Sequence, residues 1–333
     1  MTETIETYQT LTTTTTTTDA LDRLAPELES ARRYAVRALA PRTVETYAEQ
    51  WRYFVGWCAG HGVEPLPAAP TTLAAYLAGQ ADAGKSASTI SVSASAIRRA
   101  HSVAGHADPS THPMVRETAA GVRRVVLRSQ KQSAPAEVAD VRAMVAALDA
   151  DPSKGLGRVR DRALLLVGFA CALRRGELVA LDVADVEFLP AGMAVTIRQS
   201  KTDQEGVGCV LSIRYGQHPE SCPVRALRAW LDVAGITEGA IFRSTKTHGK
   251  IGDRVTSDYV ARIVKKAATK AGLDASKFSG HSLRAGWATS AAKAGVNDRA
   301  IMDRGRWTSR TTVDKYVRRA TGFQTSPDGL VDL

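Results

Sequence analysis

Five side chains in the second half of the chain are of types that could together cleave a phosphodiester bond. They are Arg174, Lys201, His281, Arg284 and Tyr316. Two arginines could bind the non-bridging phosphate oxygens and neutralise the charge of a pentavalent transition state. A tyrosine hydroxyl could attack a phosphodiester held in this way and form a covalent phosphotyrosine. A lysine could protonate the departing sugar oxygen, and a histidine could transfer the proton of the nucleophile near neutral pH.

The local sequence indicates which elements must position these side chains. His281 and Arg284 are three residues apart and therefore lie on one face of a helix. Arg174 follows a strongly apolar helical segment, within ALRRGEL, and Lys201 lies in RQSKTDQEG, a turn that joins two β-like runs. Tyr316 lies near the end of the chain. The positive charge would come from arginines, and the sequence contains neither a P-loop nor a carboxylate cluster typical of Mg²⁺. It therefore predicts no metal and no cofactor.

Each residue also has a simpler interpretation when it is considered alone. Arg174 and Glu177 are spaced as an ordinary surface ion pair. Lys201 could be a solvated turn residue, His281 a capping or core histidine, and Tyr316 a packing residue of its helix. The order and spacing of the whole set favour the catalytic interpretation.

The overall composition favours a polyanionic partner, most often nucleic acid. Lysine and arginine number 44 against 34 acidic residues, which gives a formal charge of +10. The four cysteines are scattered without metal-ligand or disulfide spacing, so a reduced cytoplasmic compartment is expected. No apolar run is long enough to cross a membrane, and the N-terminus does not resemble a secretory signal.

The pattern of the chain predicts a mostly helical fold with a small antiparallel sheet. We expect a disordered tail over 1–19 that includes seven consecutive threonines, an all-α domain over 20–130, a linker over 131–136, an α+β catalytic domain over 137–321 and a C-terminal tail over 322–333. A first helix begins at Pro41 and ends before Gly60. The other predicted helices lie near 70–83, 88–104, 113–128, 137–149, 158–173, 222–234, 256–271, 281–294 and 297–303, and the strands near 193–198 and 207–213.

The motifs ALRRGEL, SKTD, HSLR, GRW and KY together resemble those of the tyrosine recombinase (phage integrase) superfamily. The segment from GRW to Tyr316 is most similar to the Cre-type simple recombinases, in which a tryptophan stands where many relatives have a histidine. The resemblance implies a catalytic set of Arg174, Glu177, Lys201, His281, Arg284, Trp307 and Tyr316. In this set the arginines bind phosphate, Glu177 orients the first arginine, Lys201 is the general acid, His281 transfers a proton, Trp307 positions and Tyr316 is the nucleophile.

The same resemblance implies how such a protein would act. Its two domains would form a C-shaped clamp on double-stranded DNA, and four copies would assemble on two inverted-repeat sites. The tail over 322–333 would pass to a neighbouring copy. Strands would be cut and rejoined through a 3′-phosphotyrosyl intermediate without ATP or metal, on the cytoplasmic nucleoid.

Candidates for contact with DNA outside the catalytic set follow from position in the family's two domains. They are Thr43, Arg52, Ser91, Thr256, Ser257 and Arg262. Two other functions stay open. A type IB topoisomerase would share the covalent chemistry as a monomer, and a DNA-binding regulator could retain the fold without turnover.

Overall fold

A computed structural model describes residues 39–126, 133–152, 155–198, 208–246 and 249–321, together with isolated positions between 24 and 34. The segments 1–19 and 322–333, Lys201 and part of the expected linker lie outside the described residues. The chain divides into two compact units, Met1–Lys131 and Gln132–Leu333. None of the described helices has the length and apolar character needed to cross a membrane.

The regular secondary structure described in the first unit is entirely helical. Its helices are α1 (Pro41–His61), α2 (Pro70–Asp82), α3 (Ala87–Val103) and α4 (Pro113–Val126), with a 3₁₀ turn at Pro109–Thr111. Proline begins α1, α2 and α4, where its fixed φ suits the first turn. Helix α3 is capped by Ser86, whose hydroxyl accepts from the Thr89 N–H at 3.2 Å. Phe54, Leu73 and Ile97 are fully buried between the helices and hold them together.

The second unit is helical with two small antiparallel sheets. Its helices are α5 (Val138–Asp149), α6 (Leu156–Ala170), α7 (Arg175–Ala180), α8 (Pro223–Ala234), α9 (Ser257–Lys270), α10 (Ser282–Lys293), α11 (Asp298–Gly305) and α12 (Arg310–Thr321). Its strands are β1 (Val186–Leu189), β2 (Gly192–Ile197), β3 (Cys209–Arg214), β4 (Arg243–Thr245) and β5 (Ile251–Arg254). The predicted fold class, mostly helical with a small antiparallel sheet, is confirmed.

The larger sheet has the order β1-β2-β3, and the pairing of Ile197 with Cys209 closes its last hairpin. The two predicted strands correspond to β2 and β3. The four residues of β1 and the short β4–β5 hairpin were not predicted. Segments this short are too brief for an alternation of apolar and polar residues to distinguish them from loops.

The main core of this unit surrounds α6, which is buried on most of its faces. Leu164, Leu165 and Val167 of α6 are inaccessible to solvent, as is Trp230 of α8. The indole N–H of Trp230 donates to the Ile241 carbonyl at 2.8 Å, so its one polar atom is satisfied inside the core. The C-terminal end of α6, from which the segment bearing Arg174 begins, is therefore held rigidly.

A second, smaller core joins the last three helices. It consists of Ala288 and Ala292 of α10, Ile301 of α11 and Val313 of α12, and Tyr316 packs against it. The small alanine side chains let α12 lie close to α10, the helix that begins beside His281 and carries Arg284. This contact determines where Tyr316 lies relative to the HSLR segment.

Candidate active site

The first arginine and its acidic neighbour are held at the start of α7. Arg174 is the N-cap residue of this helix, and Glu177 accepts both its backbone N–H at 2.8 Å and its Nη1 at 2.6 Å. The Glu177 side chain is only 5% exposed. The interpretation of these two residues as a surface ion pair is therefore wrong, because the carboxylate is inside the protein.

A third arginine, which sequence reasoning missed, binds the same carboxylate. Nη2 of Arg306 lies 2.6 Å from Oε2 of Glu177, and the Arg306 side chain is 10% exposed. Burial acts to raise the pKa of Glu177. The positive charges of Arg306 and Arg174, with the hydrogen bonds from Arg174, outweigh burial and hold this pKa below its ordinary value. Glu177 is therefore an anion shared by two cations.

The second predicted arginine, Arg284, is almost completely buried on α10. Its Nη1 donates to the Ala172 carbonyl at 2.7 Å, and its Nη2 has no hydrogen-bond partner among the described residues. Desolvation, together with the charges of Arg174 and Arg306, lowers the pKa of Arg284 to about 9. Three guanidinium groups are thus gathered around one carboxylate, and an anion such as a phosphate would relieve their mutual repulsion.

The chain turn before Arg174 places a carbonyl where these arginines can reach it. Ala172 has a φ of 48°, in the left-handed region that residues with a Cβ rarely adopt. Its carbonyl accepts from Nη1 of Arg284 at 2.7 Å and from Nη2 of Arg306 at 3.4 Å. The hydrogen bonds from these two guanidinium groups stabilise the uncommon backbone conformation of Ala172.

The histidine and the tyrosine of the predicted set contact each other. Nε2 of His281 lies 3.1 Å from the Tyr316 hydroxyl. His281 is the N-cap residue of α10, but its ring makes no capping hydrogen bond, so the interpretation as a capping histidine is wrong. Partial desolvation, and then the nearby charges of Arg284, Arg174 and Arg175, lower the pKa of His281. Desolvation raises the pKa of Tyr316, although Arg284 acts in the opposite direction.

The ring of Trp307 packs against both Arg284 and Tyr316. The guanidinium carbon of Arg284 is 4.2 Å from the centre of the Trp307 ring, and the rings of Trp307 and Tyr316 are 5.6 Å apart. Gly305 makes this arrangement possible, because a Cβ at that position would lie 1.8 Å from a Trp307 ring carbon. Trp307 thus forms one wall of the arginine site.

Lys201 falls outside the described residues, but the base of its hairpin is described. Nε of Arg198, the residue after β2, donates to Asp185 at 2.5 Å, and the Asp185 side chain is only 5% exposed. This buried carboxylate anchors the chain three residues before Lys201. The role of the lysine stays a prediction.

The six residues predicted to contact DNA lie on described helices of both units. Thr43 and Arg52 are on α1, Ser91 is on α3, Thr256 is the N-cap residue of α9, and Ser257 and Arg262 are on α9. Arg52, Ser91, Thr256 and Arg262 are exposed, whereas Thr43 and Ser257 are half-buried. The guanidinium of Arg262 lies over the Tyr259 ring at 5.0 Å. The DNA contacts themselves stay predictions.

Comparison with known proteins agrees with the class of enzyme that this site suggests. The model of the phage integrase family matches residues 137–322. The chain belongs to the phage integrase family and is a tyrosine recombinase.

Among individual relatives, an integrase/recombinase XerD homologue of Selenomonas ruminantium is 37% identical over 298 residues, which cover 88% of this chain and 86% of that protein. The Cre recombinase of Escherichia phage P1 is 24% identical over 303 residues, 85% of each chain. The chain therefore has a higher identity to the XerD homologue than to Cre. The Cre recombinase, which the sequence motifs were expected to resemble most, is the more distant of these two relatives.

A solved structure shares the fold. The XerH site-specific recombinase bound to a palindromic difH substrate, in a post-cleavage complex, superposes with a TM-score of 0.65 at 17% identity. The match covers 87% of this chain and 79% of that one. At this identity the likeness concerns the fold alone.

Proposed function

We propose that this protein recombines DNA at specific sites by two transesterifications in which Tyr316 is the nucleophile. The Tyr316 oxygen attacks the scissile phosphorus while the bond to the 5′ oxygen breaks, which leaves a 3′-phosphotyrosyl link and a free 5′-hydroxyl. The 5′-hydroxyl of a partner strand then attacks this phosphorus and gives its proton to Lys201. The bond to the tyrosine oxygen breaks, and His281 returns a proton to that oxygen. Each step exchanges one phosphodiester for another, so no ATP is needed, and the arginines supply the positive charge that a metal ion would otherwise provide.

The observation that carries this proposal is the contact between His281 and Tyr316 beside a group of arginines. The raised pKa of Tyr316 means that its hydroxyl is protonated at neutral pH and must lose a proton during attack. The lowered pKa of His281 means that its ring is neutral and able to accept that proton at 3.1 Å. Proton transfer from tyrosine to histidine therefore requires no movement of either residue.

The arginines in the proposed mechanism stabilise charge. Attack on a phosphodiester places extra negative charge on the non-bridging oxygens, and preorganised cationic donors lower the energy of that state. Arg174 is held by Glu177 with its side chain 23% exposed, and Arg284 has one nitrogen without a described partner. Lys201 would complete the set by donating a proton to the departing 5′ oxygen.

We propose double-stranded DNA with a short inverted-repeat site as the substrate and a homotetramer on two sites as the active assembly. The formal charge of +10 supports a polyanionic partner. The palindromic substrate of the XerH recombinase, which shares the fold, supports an inverted repeat. The tryptophan at position 307, where many relatives have a histidine, supports a simple recombinase of the Cre type. The domain limits, the exchanged tail over 322–333, the clamp shape and the location on the cytoplasmic nucleoid stay predictions.

Capture of the covalent intermediate tests the proposal and identifies the target site in the same experiment. Wild-type protein, Tyr316→Phe and Tyr215→Phe are incubated with sheared DNA of the source organism and quenched in detergent, and the protein-linked fragments are sequenced. Tyr215→Phe is the matched control, because this tyrosine lies outside the site and packs against the main core.

The expected result is enrichment of one inverted-repeat locus with the wild type and with Tyr215→Phe, and no adduct with Tyr316→Phe. Adducts scattered over all sequences would instead indicate a topoisomerase. A wild-type protein that binds DNA and yields no adduct would indicate a regulator without turnover and would contradict the proposal.

A further inference from the structure

Arg306 connects two parts of the site that are far apart in the sequence. Its Nη2 binds Oε2 of Glu177 at 2.6 Å, while Oε1 of Glu177 binds Nη1 of Arg174 at 2.6 Å. Each guanidinium group therefore binds one oxygen of the carboxylate, and Oε2 also accepts the backbone N–H of Arg174 at 2.8 Å. Arg306 directly precedes Trp307, so the ALRRGEL segment is joined through this carboxylate to the segment that leads to Tyr316.

The backbone of Arg306 adopts a conformation that is unusual for a residue with a side chain. Arg306 has a φ of 54° and a ψ of 46°, the left-handed conformation in which α11 ends. Glycine is the residue favoured at such a helix end, because any side chain is strained there. An arginine at this position therefore needs a compensating interaction, and the buried Glu177 carboxylate supplies one.

Both terminal nitrogens of Arg306 donate to protein atoms, while its buried Nε has no hydrogen-bond partner among the described residues. Nη1 donates to the Arg304 carbonyl at 3.1 Å, and Nη2 donates to Glu177 and to the Ala172 carbonyl. The side chain is 10% exposed, against 23% for Arg174. This arrangement suits a residue that holds other groups in place better than one that binds phosphate itself.

We propose that Arg306 is a positioning residue that keeps Glu177 ionised and thereby holds Arg174 in place for the scissile phosphate. This inference rests on the proposed function of Arg174. Without Arg306, the carboxylate would lose the cation that most strongly opposes the effect of burial, and the pKa of Glu177 would rise. A protonated Glu177 would hold Arg174 less firmly, because a neutral carboxyl group is a weaker acceptor than a carboxylate.

The test compares three single variants, Arg306→Gly, Arg306→Lys and Glu177→Gln. It also includes a double variant that carries both Arg306→Gly and Glu177→Gln. Glycine relaxes the left-handed backbone, so a loss of rate cannot come from strain at the helix end. Arg304→Ala is the matched control, since this neighbouring arginine donates to the carbonyls of Ala170 and Ser212 and not to Glu177. The measurements are the single-turnover rate of adduct formation at saturating protein, the DNA affinity, and the urea midpoint.

Arg306→Gly should lower the rate by about 10- to 100-fold, as is common for one member of a buried network, with DNA affinity unchanged. Arg306→Lys should restore part of the rate. The loss should deepen as the pH falls, because Glu177 then protonates more readily. The double variant should be no slower than Glu177→Gln, and its pH dependence should equal that of Glu177→Gln.

Several outcomes would overturn the inference. They are an Arg306→Gly rate equal to wild type, losses that multiply in the double variant, or a fall in DNA affinity that accounts for the fall in rate. If Arg306→Gly does not fold, the test uses Arg306→Lys in its place. The rate of Arg306→Lys alone is then compared with the rate of the double variant that combines it with Glu177→Gln. A wild-type protein without any adduct would refute the proposed function itself, which is a different result.

Discussion

Nε2 of His281 lies 3.1 Å from the hydroxyl oxygen of Tyr316, although 35 positions separate the two residues in the sequence. Helices α10 and α12 bring them together by packing on the small core that includes Ala288 and Val313. The proton acceptor and the nucleophile of the proposed reaction are therefore in contact in the protein alone, without DNA.

The rate of cleavage should depend on the protonation of His281. We expect single-turnover adduct formation to be constant near neutral pH and to fall as the pH drops through the pKa of His281, which lies below its ordinary value. Below that pKa the ring is an imidazolium ion and cannot accept the tyrosine proton. Glu177 does not supply this limb, because its pKa is held below its own, more acidic, ordinary value.

A pH series from about 5 to 8, the range in which histidine titrates, makes the measurement. His281→Gln should be slow throughout and should lack the acid limb. A limb that persists unchanged in this variant would contradict the assignment.

The two predicted phosphate-binding arginines should be needed for cleavage more than for binding. Arg174→Ala and Arg284→Lys should each lower the adduct rate by roughly 100-fold or more, the usual effect of removing one preorganised donor from a transition state. Lysine is chosen for Arg284 because an alanine would leave the buried Ala172 carbonyl without its 2.7 Å donor. Affinity for the captured site should change little. An equal loss of affinity would mean that these residues act only as structural or DNA-holding groups.

Lys201 should be dispensable when the leaving group needs no proton. Lys201→Ala should stall cleavage of an ordinary strand. A substrate with sulfur in place of the 5′ bridging oxygen should restore much of the rate, because a thiolate departs without protonation. Tyr316→Phe with the same substrate is the control and should stay inactive. The absence of any restoration would count against Lys201 as the general acid.

The packing of Trp307 against Gly305 should be sensitive to a single added methyl group. In Gly305→Ala the new Cβ would lie 1.8 Å from the Trp307 ring, so the ring must move from its place over Arg284. We expect a slower adduct rate and a loss of about 1–3 kcal/mol in the free energy of unfolding, which is typical of overpacking.

Gly79→Ala is the control for this change. Gly79 is inside α2, and a Cβ there would have no heavy atom within 4 Å. Its stability should be unchanged or slightly higher, since alanine is the better helix former. Urea unfolding and the adduct rate measure both variants. A Gly305→Ala protein indistinguishable from wild type would refute the positioning role of Trp307.

Most of the helices could be predicted from local sequence. Proline at the helix start marked α1, α2 and α8, and glycine after the helix end marked α2 and α8, whereas α1 continues through Gly60 to His61. Apolar periodicity marked the rest of the predicted set. Helix α12 was not among the predicted helices, since its sequence, RTTVDKYVRRAT, contains few apolar residues. The six-residue α7 was not predicted either, because its one and a half turns contain too little periodicity. That helix is formed instead around the reciprocal hydrogen bonds between Arg174 and Glu177.

The amino-acid sequence by itself determined the class of enzyme and supplied the predicted catalytic residues, because the motifs that carry them are short and local. The tertiary structure alone decided which of these residues touch. It brought His281 to Tyr316, and it showed that the Glu177 carboxylate binds a third arginine, Arg306. Arg306 carries no local signal, since an arginine after a helix is ordinarily a solvated surface residue. Only long-range packing places a buried anion beside it, and no window of sequence contains that information.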